Sequence, residues 1–251
     1  MGSHSTDAWA LILGASSGFG AATARELAKH GFHIAGVHLD RKATLVNVEQ
    51  LAGEIQRMGR KALFFNVNAA DPQKRQEVLS QLGVALKASS PPGRVAVLLH
   101  SLAFGTLKPY IADDPKEALT KDQMEMTLDV MANSLVYWVQ DLLASGLIGQ
   151  GSRVFAMTSS GGARVWPTYG AVSAAKAALE SHVRQLAMEL APRGITANCI
   201  RAGVTDTPAL RKIPGNEQMM EFSKVRNPHH RLTAPEDVAS AIALLANSGA
   251  D

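Results

Sequence analysis

The sequence alternates between short apolar runs and longer amphipathic stretches along nearly its whole length. The apolar runs have the length of buried strands and occupy residues 8–14, 32–39, 61–67, 94–100, 152–158 and 194–200. Between them, helical spacing of apolar residues recurs in 21–31, 43–59, 72–87, 121–145 and 169–191. Strands that alternate with helices form a parallel sheet with helices on both faces. Because such crossovers are right-handed, we predict an α/β fold with a doubly wound sheet and a ligand crevice at the carboxyl ends of its strands.

Nothing in the sequence divides the chain into separate domains. The 251 residues are 46% hydrophobic and 19% charged, as in ordinary globular proteins, and they contain no repeat and no Pro/Ser/Gly-rich linker. Residues 89–93, SSPPG, have the composition of a turn between a helix and a strand. We therefore predict a single domain over residues 1–251.

Residues 204–233, here named the lid segment, depart from this alternation. They combine weak periodicity with Pro, Gly and several basic residues. Loops of this length in compact domains are usually either functional or disordered. A mobile lid over the crevice and a solvated loop both explain the composition.

Several classes of partner are not expected from the composition. No apolar run approaches the roughly 18 residues of a membrane helix, and the first residues lack the basic and apolar parts of a signal peptide. The single Cys199 cannot form an internal disulfide, and the eight His show no metal-ligand spacing. We expect a cytoplasmic protein without a metal site, a membrane span or a nucleic-acid partner. The net charge of +3 fits phosphates or thioester carriers as partners, and equally an ordinary surface.

The stretch LGASSGFG, residues 13–20, places three glycines between the first predicted strand and the first predicted helix. Small residues let the backbone approach a pyrophosphate, and the helix N-terminus offers N–H groups and a positive dipole end. The spacing G-x-x-x-G-x-G differs from the commonest dinucleotide fingerprint, and a purely structural turn is the alternative. We predict a Rossmann-type NAD(P) site with contacts from Gly14, Ser16, Ser17, Gly18, Phe19 and Gly20.

An acidic residue follows the second predicted strand. Asp40 can accept hydrogen bonds from the ribose diol of NADH, and its charge repels the 2′-phosphate of NADPH. Arg41 and Lys42 follow directly and can instead attract that phosphate. The sequence therefore slightly favours NADH and leaves NADPH open.

The stretch YGAVSAAK, residues 169–176, carries a Tyr and a Lys seven positions apart. Together with GASSGFG, the serine pair at 159–160, NCIRAGVTDTPAL and RLTAPEDVASAIALLA, it resembles the short-chain dehydrogenase/reductase superfamily. The resemblance covers essentially the whole chain. It implies an NAD(P)-dependent oxidoreductase that forms a homo-oligomer, usually a tetramer or a dimer.

The resemblance also implies the catalytic residues Ser159, Tyr169 and Lys176. Most of the superfamily keeps its Tyr four positions before the Lys, where this chain has Val172. The Tyr-x6-Lys pattern, HSLAF at 100–104 and ANCIRAG at 197–203 are similar to the enoyl-acyl-carrier-protein reductases. That likeness implies an acyl thioester as substrate and an acyl-carrier protein as one candidate carrier. Many such reductases have Tyr or Phe at the position of Ser159, so its role is left open.

The longer spacing also has a physical interpretation. On an α-helix, seven residues place Tyr169 nearly in line with Lys176, roughly 10 Å along the axis, whereas a gap of four gives roughly 6 Å. When a ketone is reduced, the oxygen that needs a proton is bonded to the carbon that receives hydride. When an α,β-unsaturated thioester is reduced, negative charge develops on a carbonyl oxygen three bonds from that carbon. A more distant hydroxyl suits the second reaction.

Further cofactor contacts follow from the resemblance alone. Asn66 and Val67 match a pair that contacts adenine, and Thr207 matches a Thr that contacts the carboxamide or the pyrophosphate. The position of the catalytic Asn holds Met131, with Asn133 close by. The remaining implied contacts are Ser101, Leu102, Lys176, Gly203 and Thr205.

The aromatic residues and one histidine allow structural or functional interpretations. Tyr137, Trp138 and Trp166 can line an acyl pocket or pack in the core. His100, at the end of a predicted strand, is expected to pack there and not to act as a catalyst.

Three functions remain open at this point: an enoyl-thioester reductase of fatty-acid or related synthesis, a carbonyl or alcohol oxidoreductase, and a dinucleotide-binding scaffold without turnover. Val172 and HSLAF favour the first function over the second, and the intact Ser159, Tyr169 and Lys176 disfavour the third. The sequence ends at ANSGAD, where the family continues into a last strand. We expect either a truncated sequence or a sheet without that strand.

Overall fold

A six-stranded, all-parallel sheet organises residues 7–247, the part of the chain that the computed structural model describes. Its strands are β1 (Ala8–Leu13), β2 (His33–His38), β3 (Ala62–Asn66), β4 (Arg94–His100), β5 (Arg153–Thr158) and β6 (Thr196–Arg201). They lie in the order β3-β2-β1-β4-β5-β6, so the direction of winding reverses between β1 and β4. The predicted doubly wound α/β fold is confirmed, and its crevice lies where the order reverses.

Helices cover both faces of this sheet. They are α1 (Gly18–Lys29), α2 (Leu45–Arg57), α3 (Pro72–Lys87), α4 (Lys121–Leu128), α5 (Ser134–Ala144), α6 (Gly170–Leu190), α7 (Asn216–Arg226) and α8 (Pro235–Asn247). One buried cluster joins the sheet to α3, α5 and α6, and the other joins it to α1, α2 and α8. Within residues 7–247, no helix is both long enough and apolar enough to cross a membrane.

The central strand shows why its sequence is apolar without alternation. Trp9, Leu11 and Leu13 pack into the cluster on one face, and Ala8, Ala10 and Ile12 pack into the cluster on the other. Every residue of β1 is buried. A parallel strand covered on both faces has no solvated side, so it reads as one continuous apolar run.

The predicted helix 121–145 is interrupted. A π-helical turn at Asp129–Asn133 separates α4 from α5. The turn buries Met131, and a Cβ added to Gly105 would lie 2.9 Å from the Met131 sulfur. Single π-helical turns inside helices are frequent at functional sites. The sequence did not reveal this turn, because the one extra residue changes the apolar register at a single place and no Gly or Pro marks it.

The lid segment contains more helix than its sequence indicated. A short 3₁₀ turn at Leu210–Lys212 precedes α7. No residue of α7 is fully buried, because its apolar residues do not gather on one face. The helix therefore gave little periodic signal, and the lid function stays a prediction.

Substitution of Gly36 tests how the sheet supports the glycine-rich turn at residues 13–20, here named the phosphate turn. An added Cβ at this position in β2 would lie 2.5 Å from a Phe64 ring carbon and 2.8 Å from the Ala15 Cβ. We expect Gly36→Ala to lower the free energy of unfolding in urea by about 1–3 kcal/mol, as other overpacked cores do. Gly53→Ala in α2 is the control, because no atom lies within 4 Å of its added Cβ. The control should gain about 0.5–1 kcal/mol, and equal midpoints for both variants would contradict the prediction.

Candidate active site

The glycine-rich turn between β1 and α1 lies where three strand ends meet. Gly14 has a left-handed φ of +89°, and its N–H donates to the Val37 carbonyl at 2.8 Å. A Cβ on Gly14 would lie 2.5 Å from the Ser101 carbonyl oxygen, and one on Gly20 would lie 2.0 Å from the Gly14 oxygen. No side chain caps the N-terminus of α1, and its first turn has no acidic residue. This turn therefore fits a pyrophosphate, with N–H groups and the helix dipole directed at it.

The carboxylate of Asp40 is held firmly at the end of β2. The Thr44 hydroxyl donates to it at 2.7 Å, His38 Nδ1 donates at 3.0 Å, and the Ser16 hydroxyl also bonds to it. Burial opposes the charge, but these hydrogen bonds prevail and lower the pKa of Asp40. Arg41 next to it is exposed. A fixed negative charge thus stands beside the phosphate turn, where sequence reasoning placed it but could not show that His38 would hold it.

Asn66 and Val67 support the same strand end. The Asn66 side-chain oxygen accepts from the Asp40 N–H at 2.9 Å, and its amide donates to the Asp40 carbonyl at 3.1 Å. The Val67 N–H donates to the His38 carbonyl at 2.8 Å. Both residues lie at the carboxyl end of β3, next to the end of β2, and their contact with adenine stays a prediction.

A cavity of about 1020 Å³ lies at the carboxyl ends of β4, β5 and β6, beneath the lid segment. Nine residues predicted for catalysis or cofactor binding line it: Phe19, Ser101, Leu102, Ser159, Tyr169, Lys176, Gly203, Thr205 and Thr207. The other predicted contacts lie outside it, at the ends of β1, β2 and β3: Gly14, Ser16, Ser17, Gly18, Gly20, Asp40, Arg41, Asn66 and Val67. The predicted phosphate and adenosine contacts and the predicted reactive groups therefore occupy separate parts of an extended site, here named the phosphate-and-adenosine half and the reactive half.

Tyr169 is the N-cap residue of α6 and does not lie within the helix, as its spacing suggested it would. Its hydroxyl hydrogen-bonds with Ser159, and its ring packs so closely on Gly161 that an added Cβ there would lie 2.4 Å from a ring carbon. Burial raises the pKa of the phenol, although the bond with Ser159 acts in the opposite direction. Tyr169 therefore stays protonated at neutral pH and can donate a hydrogen bond. Gly161, which sequence reasoning missed, makes room for its ring.

Lys176 is buried at the floor of the cavity. Its Nζ donates to the Met157 carbonyl at 2.7 Å. Burial lowers the pKa of Lys176 to about 8, while the acidic groups of Cys199 and Glu180 raise it. Val172, one turn earlier on α6, presents an apolar side chain to the same cavity. Between Tyr169 and Lys176, the residues of α6 that line the cavity thus offer no second proton donor.

The remaining candidates take different places. Trp138 is fully buried in the core and donates to the Ala69 carbonyl at 2.8 Å, whereas Trp166 lines the cavity. Tyr137 lies on the surface beside the Arg75 guanidinium. The Asn133 side chain bonds to His182 and does not line the cavity, while Met131 does line it.

His100 packs at the end of β4, as predicted. It is fully buried, and its Nε2 lies 2.9 Å from the Ser134 hydroxyl. Burial, together with the charge of Lys176, lowers the pKa of His100 to about 3. His100 is therefore neutral at physiological pH.

The buried charge of Lys176 predicts a pH-dependent stability. Between its folded pKa of about 8 and its ordinary value of 10.5, the unfolded chain binds more protons, so stability rises with pH across that window. Lys176→Met lacks this rise. The free energy of unfolding of the wild type should therefore increase, relative to that of Lys176→Met, by up to about 3 kcal/mol from neutral pH to the top of the window. Urea unfolding over that pH range measures the difference. Lys87→Met, at an exposed position, is the control for the loss of a lysine as such. A pH-independent difference between Lys176→Met and the wild type would refute the assigned burial cost.

Comparison with known proteins places this site in a family. A family model described as Enoyl-(Acyl carrier protein) reductase matches residues 14–251. The NADPH-dependent aldehyde reductase-like protein, chloroplastic, of Arabidopsis thaliana is 29% identical over 96% of this chain and 88% of its own length. The 1-cyclohexenylcarbonyl-CoA reductase of Streptomyces collinus is 28% identical over 96% of this chain and 80% of its own length.

A solved structure agrees with both sequence findings. The short chain dehydrogenase from Burkholderia cenocepacia J2315 in complex with NADP matches this fold with a TM-score of 0.78 at 26% identity. The match covers 96% of this chain and 90% of that one. The chain therefore belongs to the short-chain dehydrogenase/reductase superfamily of oxidoreductases, in the family described as Enoyl-(Acyl carrier protein) reductase.

Proposed function

We propose that this oxidoreductase reduces the α,β double bond of an enoyl thioester with NADH or NADPH. The observation that carries the proposal is the placement of proton donors along the cavity wall. The Tyr169 hydroxyl stands at the start of α6, and the apolar Val172 occupies the position one turn before Lys176. A donor is therefore present for an oxygen further from the nicotinamide and absent where most of the superfamily keeps its Tyr.

The residues of the cavity suit the charge that develops in this reaction. When bound, a reduced nicotinamide would supply hydride to the β-carbon of the substrate. The neutral phenol of Tyr169 donates a hydrogen bond to the thioester oxygen as negative charge accumulates there, and a proton from water then adds to the α-carbon, which restores the carbonyl and completes the reduction. Lys176 keeps positive charge nearby while it is protonated and would hold the nicotinamide ribose. Side chains such as Leu107, Ile213 and Met219 supply apolar wall for the acyl chain.

The residues also fit the dinucleotide. The phosphate turn would hold the pyrophosphate, and Asn66 and Val67 would contact adenine. Gly203, Thr205 and Thr207 line the cavity together with Ser101 and Leu102, in the reactive half. We further propose a preference for NADH, because Asp40 carries a fixed negative charge where a 2′-phosphate would lie.

The wider assignment is part of the same proposal. The carrier of the acyl group is coenzyme A or an acyl-carrier protein, and the pathway is fatty-acid or related acyl-chain synthesis. We propose a cytoplasmic homo-oligomer, a tetramer or a dimer.

A carbonyl or alcohol oxidoreductase is the second candidate. The hydrogen bond between Tyr169 and Ser159 favours it, because two hydroxyls side by side can both donate to a ketone oxygen. The aldehyde reductase-like relative from Arabidopsis thaliana is in keeping with it. A scaffold that binds the dinucleotide without turnover is the third.

One assay separates the three functions. Absorbance at about 340 nm is followed with NADH and NADPH in parallel, with crotonyl-CoA or a longer trans-2-enoyl thioester in one series and acetoacetyl-CoA in the other. Oxidation that requires the enoyl substrate supports the proposal. Oxidation only with the ketone selects the second candidate, and dinucleotide binding without any oxidation selects the third.

The role of Tyr169 predicts the effect of removing one hydroxyl. Tyr169→Phe should lower kcat with crotonyl-CoA by roughly 10² or more, because the lost contact forms only as charge develops. The dissociation constant of NADH, measured by its fluorescence, should change little. Tyr137→Phe is the matched control, since that Tyr lies on the surface away from the cavity. Wild-type kcat in Tyr169→Phe would remove this residue from the mechanism.

The role of Asp40 predicts a change in cofactor preference. Asp40→Asn keeps the shape of the side chain and removes its charge. We expect the ratio of kcat/KM for NADPH to that for NADH to rise at least about fivefold, because a charge repulsion of about 1 kcal/mol or more is lost. The matched control is Asp206→Asn, an exposed carboxylate paired with Arg211 in the lid segment. An unchanged ratio would show that Asp40 does not discriminate between the two cofactors.

A further inference from the structure

Trp166 joins two parts of the site that lie 48 residues apart in sequence. Its indole N–H donates to the Pro214 carbonyl in the lid segment at 2.9 Å. The same ring packs on Gly215, where an added Cβ would lie 3.1 Å from the Trp166 Cζ2 atom. Gly215 caps the N-terminus of α7 in a left-handed conformation with φ of +76°. The indole therefore contacts the lid segment at Pro214 and Gly215, just before α7 begins.

The other end of this connection reaches Tyr169 through a turn with little freedom. The Tyr169 N–H donates to the Trp166 carbonyl at 3.1 Å, which closes the turn. Pro167 has a fixed φ, and Thr168 has a φ of +62°. A β-branched residue in the left-handed region is a strained outlier that persists only where the surroundings hold it. A displacement of Trp166 is thus passed to Tyr169, because the two residues between them cannot absorb it.

We infer that Trp166 is a positioning residue that couples the seating of the lid segment to the placement of the Tyr169 hydroxyl. The inference rests on the proposed function insofar as it takes Tyr169 as the donor. α7 forms part of the cavity wall through Gln218, Met219, Phe222 and Ser223. Substrate in the cavity contacts this helix, the helix moves Pro214 and Gly215, and the indole transmits the movement. Tyr169 then reaches its working position only when the lid segment is seated on substrate.

The first test removes the tie at the indole. Trp166→Phe keeps an aromatic ring at this position, removes the N–H that bonds to Pro214 and shortens the ring that packs on Gly215. We expect kcat with crotonyl-CoA to fall about tenfold, since misplacement of a catalytic group by a fraction of an ångström has effects of this size. The dissociation constant of NADH should stay within about twofold of the wild-type value, because the hydrogen bond between Trp166 and Pro214 does not involve the phosphate turn.

The second test approaches the same contact from the lid segment. Gly215→Ala adds a methyl group against the indole at a residue that does not itself line the cavity. Gly59→Ala is a closely matched control, with φ of +75° and no atom within 4 Å of its added Cβ. Both variants should lose similar thermal stability, because the backbone strain is the same. Only Gly215→Ala should lower kcat.

Intrinsic fluorescence gives a readout that does not depend on turnover. The chain has three tryptophans, of which Trp9 and Trp138 are fully buried. Trp166 is part-exposed and faces the cavity. Addition of butyryl-CoA with NAD⁺ should therefore shift the emission of the wild type and leave that of Trp166→Phe unchanged. Gly215→Ala should alter the starting emission, whereas Gly59→Ala should match the wild type.

The outcomes separate this inference from the proposed function. Wild-type protein that oxidises NADH with acetoacetyl-CoA and not with crotonyl-CoA overturns the enoyl assignment, and the same variants then test the coupling on the ketone. Wild-type kcat in both Trp166→Phe and Gly215→Ala overturns the coupling, whichever substrate is used. A rise in KM with unchanged kcat also overturns it, because Trp166 would then be only a wall of the binding site. If the emission of Gly215→Ala equals that of Gly59→Ala, the proposed contact between Trp166 and the lid segment is overturned, even if no substrate is turned over.

Discussion

The convergence of three strand ends at Gly14 is the constraint on which the rest of the site depends. The order of the sheet places β1 between β2 and β4, so the chain leaving β1 must pass between the ends of both neighbours. Gly14 donates to the Val37 carbonyl near the end of β2, and Ser101 after β4 donates to the Leu13 carbonyl, each at 2.8 Å. A side chain on Gly14 would collide with Ser101. Because residue 14 is glycine, the ends of β2 and β4 can both lie against the end of β1, and the N-terminus of α1 lies at the crevice.

The reactive half of the site is built from groups that weaken the fold. Lys176 is a buried cation whose charge costs stability below its ordinary pKa. Thr168 has a left-handed backbone, and its buried hydroxyl has no hydrogen-bond partner among residues 7–247. Natural proteins tolerate such features where function needs them, and the apolar clusters on the two faces of the sheet supply the stability that offsets them.

The sequence predicted what local pattern determines and missed what tertiary contacts determine. The six strands, the phosphate turn and the charge at Asp40 followed from apolar runs, glycine spacing and position after a strand. His38 as the partner of Asp40 could not be predicted, because nothing in an apolar strand indicates which way either of its two imidazoles turns. The π-helical turn at Asp129–Asn133 and helix α7 were missed, because the spacing of apolar residues marks neither of them. The link between Trp166 and Pro214 spans parts of the chain that only the fold brings together.

The position of Tyr169 changes the meaning of the seven-residue spacing. A Tyr within α6 would be held by the helix at a fixed height above Lys176. The structure instead begins α6 at Gly170, so the loop from Ser159 to Thr168 determines where the Tyr169 hydroxyl lies. Lys176, deep within the helix, is held by its bond to the Met157 carbonyl. The two groups are therefore positioned by different elements, so the proposed movement of Tyr169 with the lid segment would leave the lysine in place.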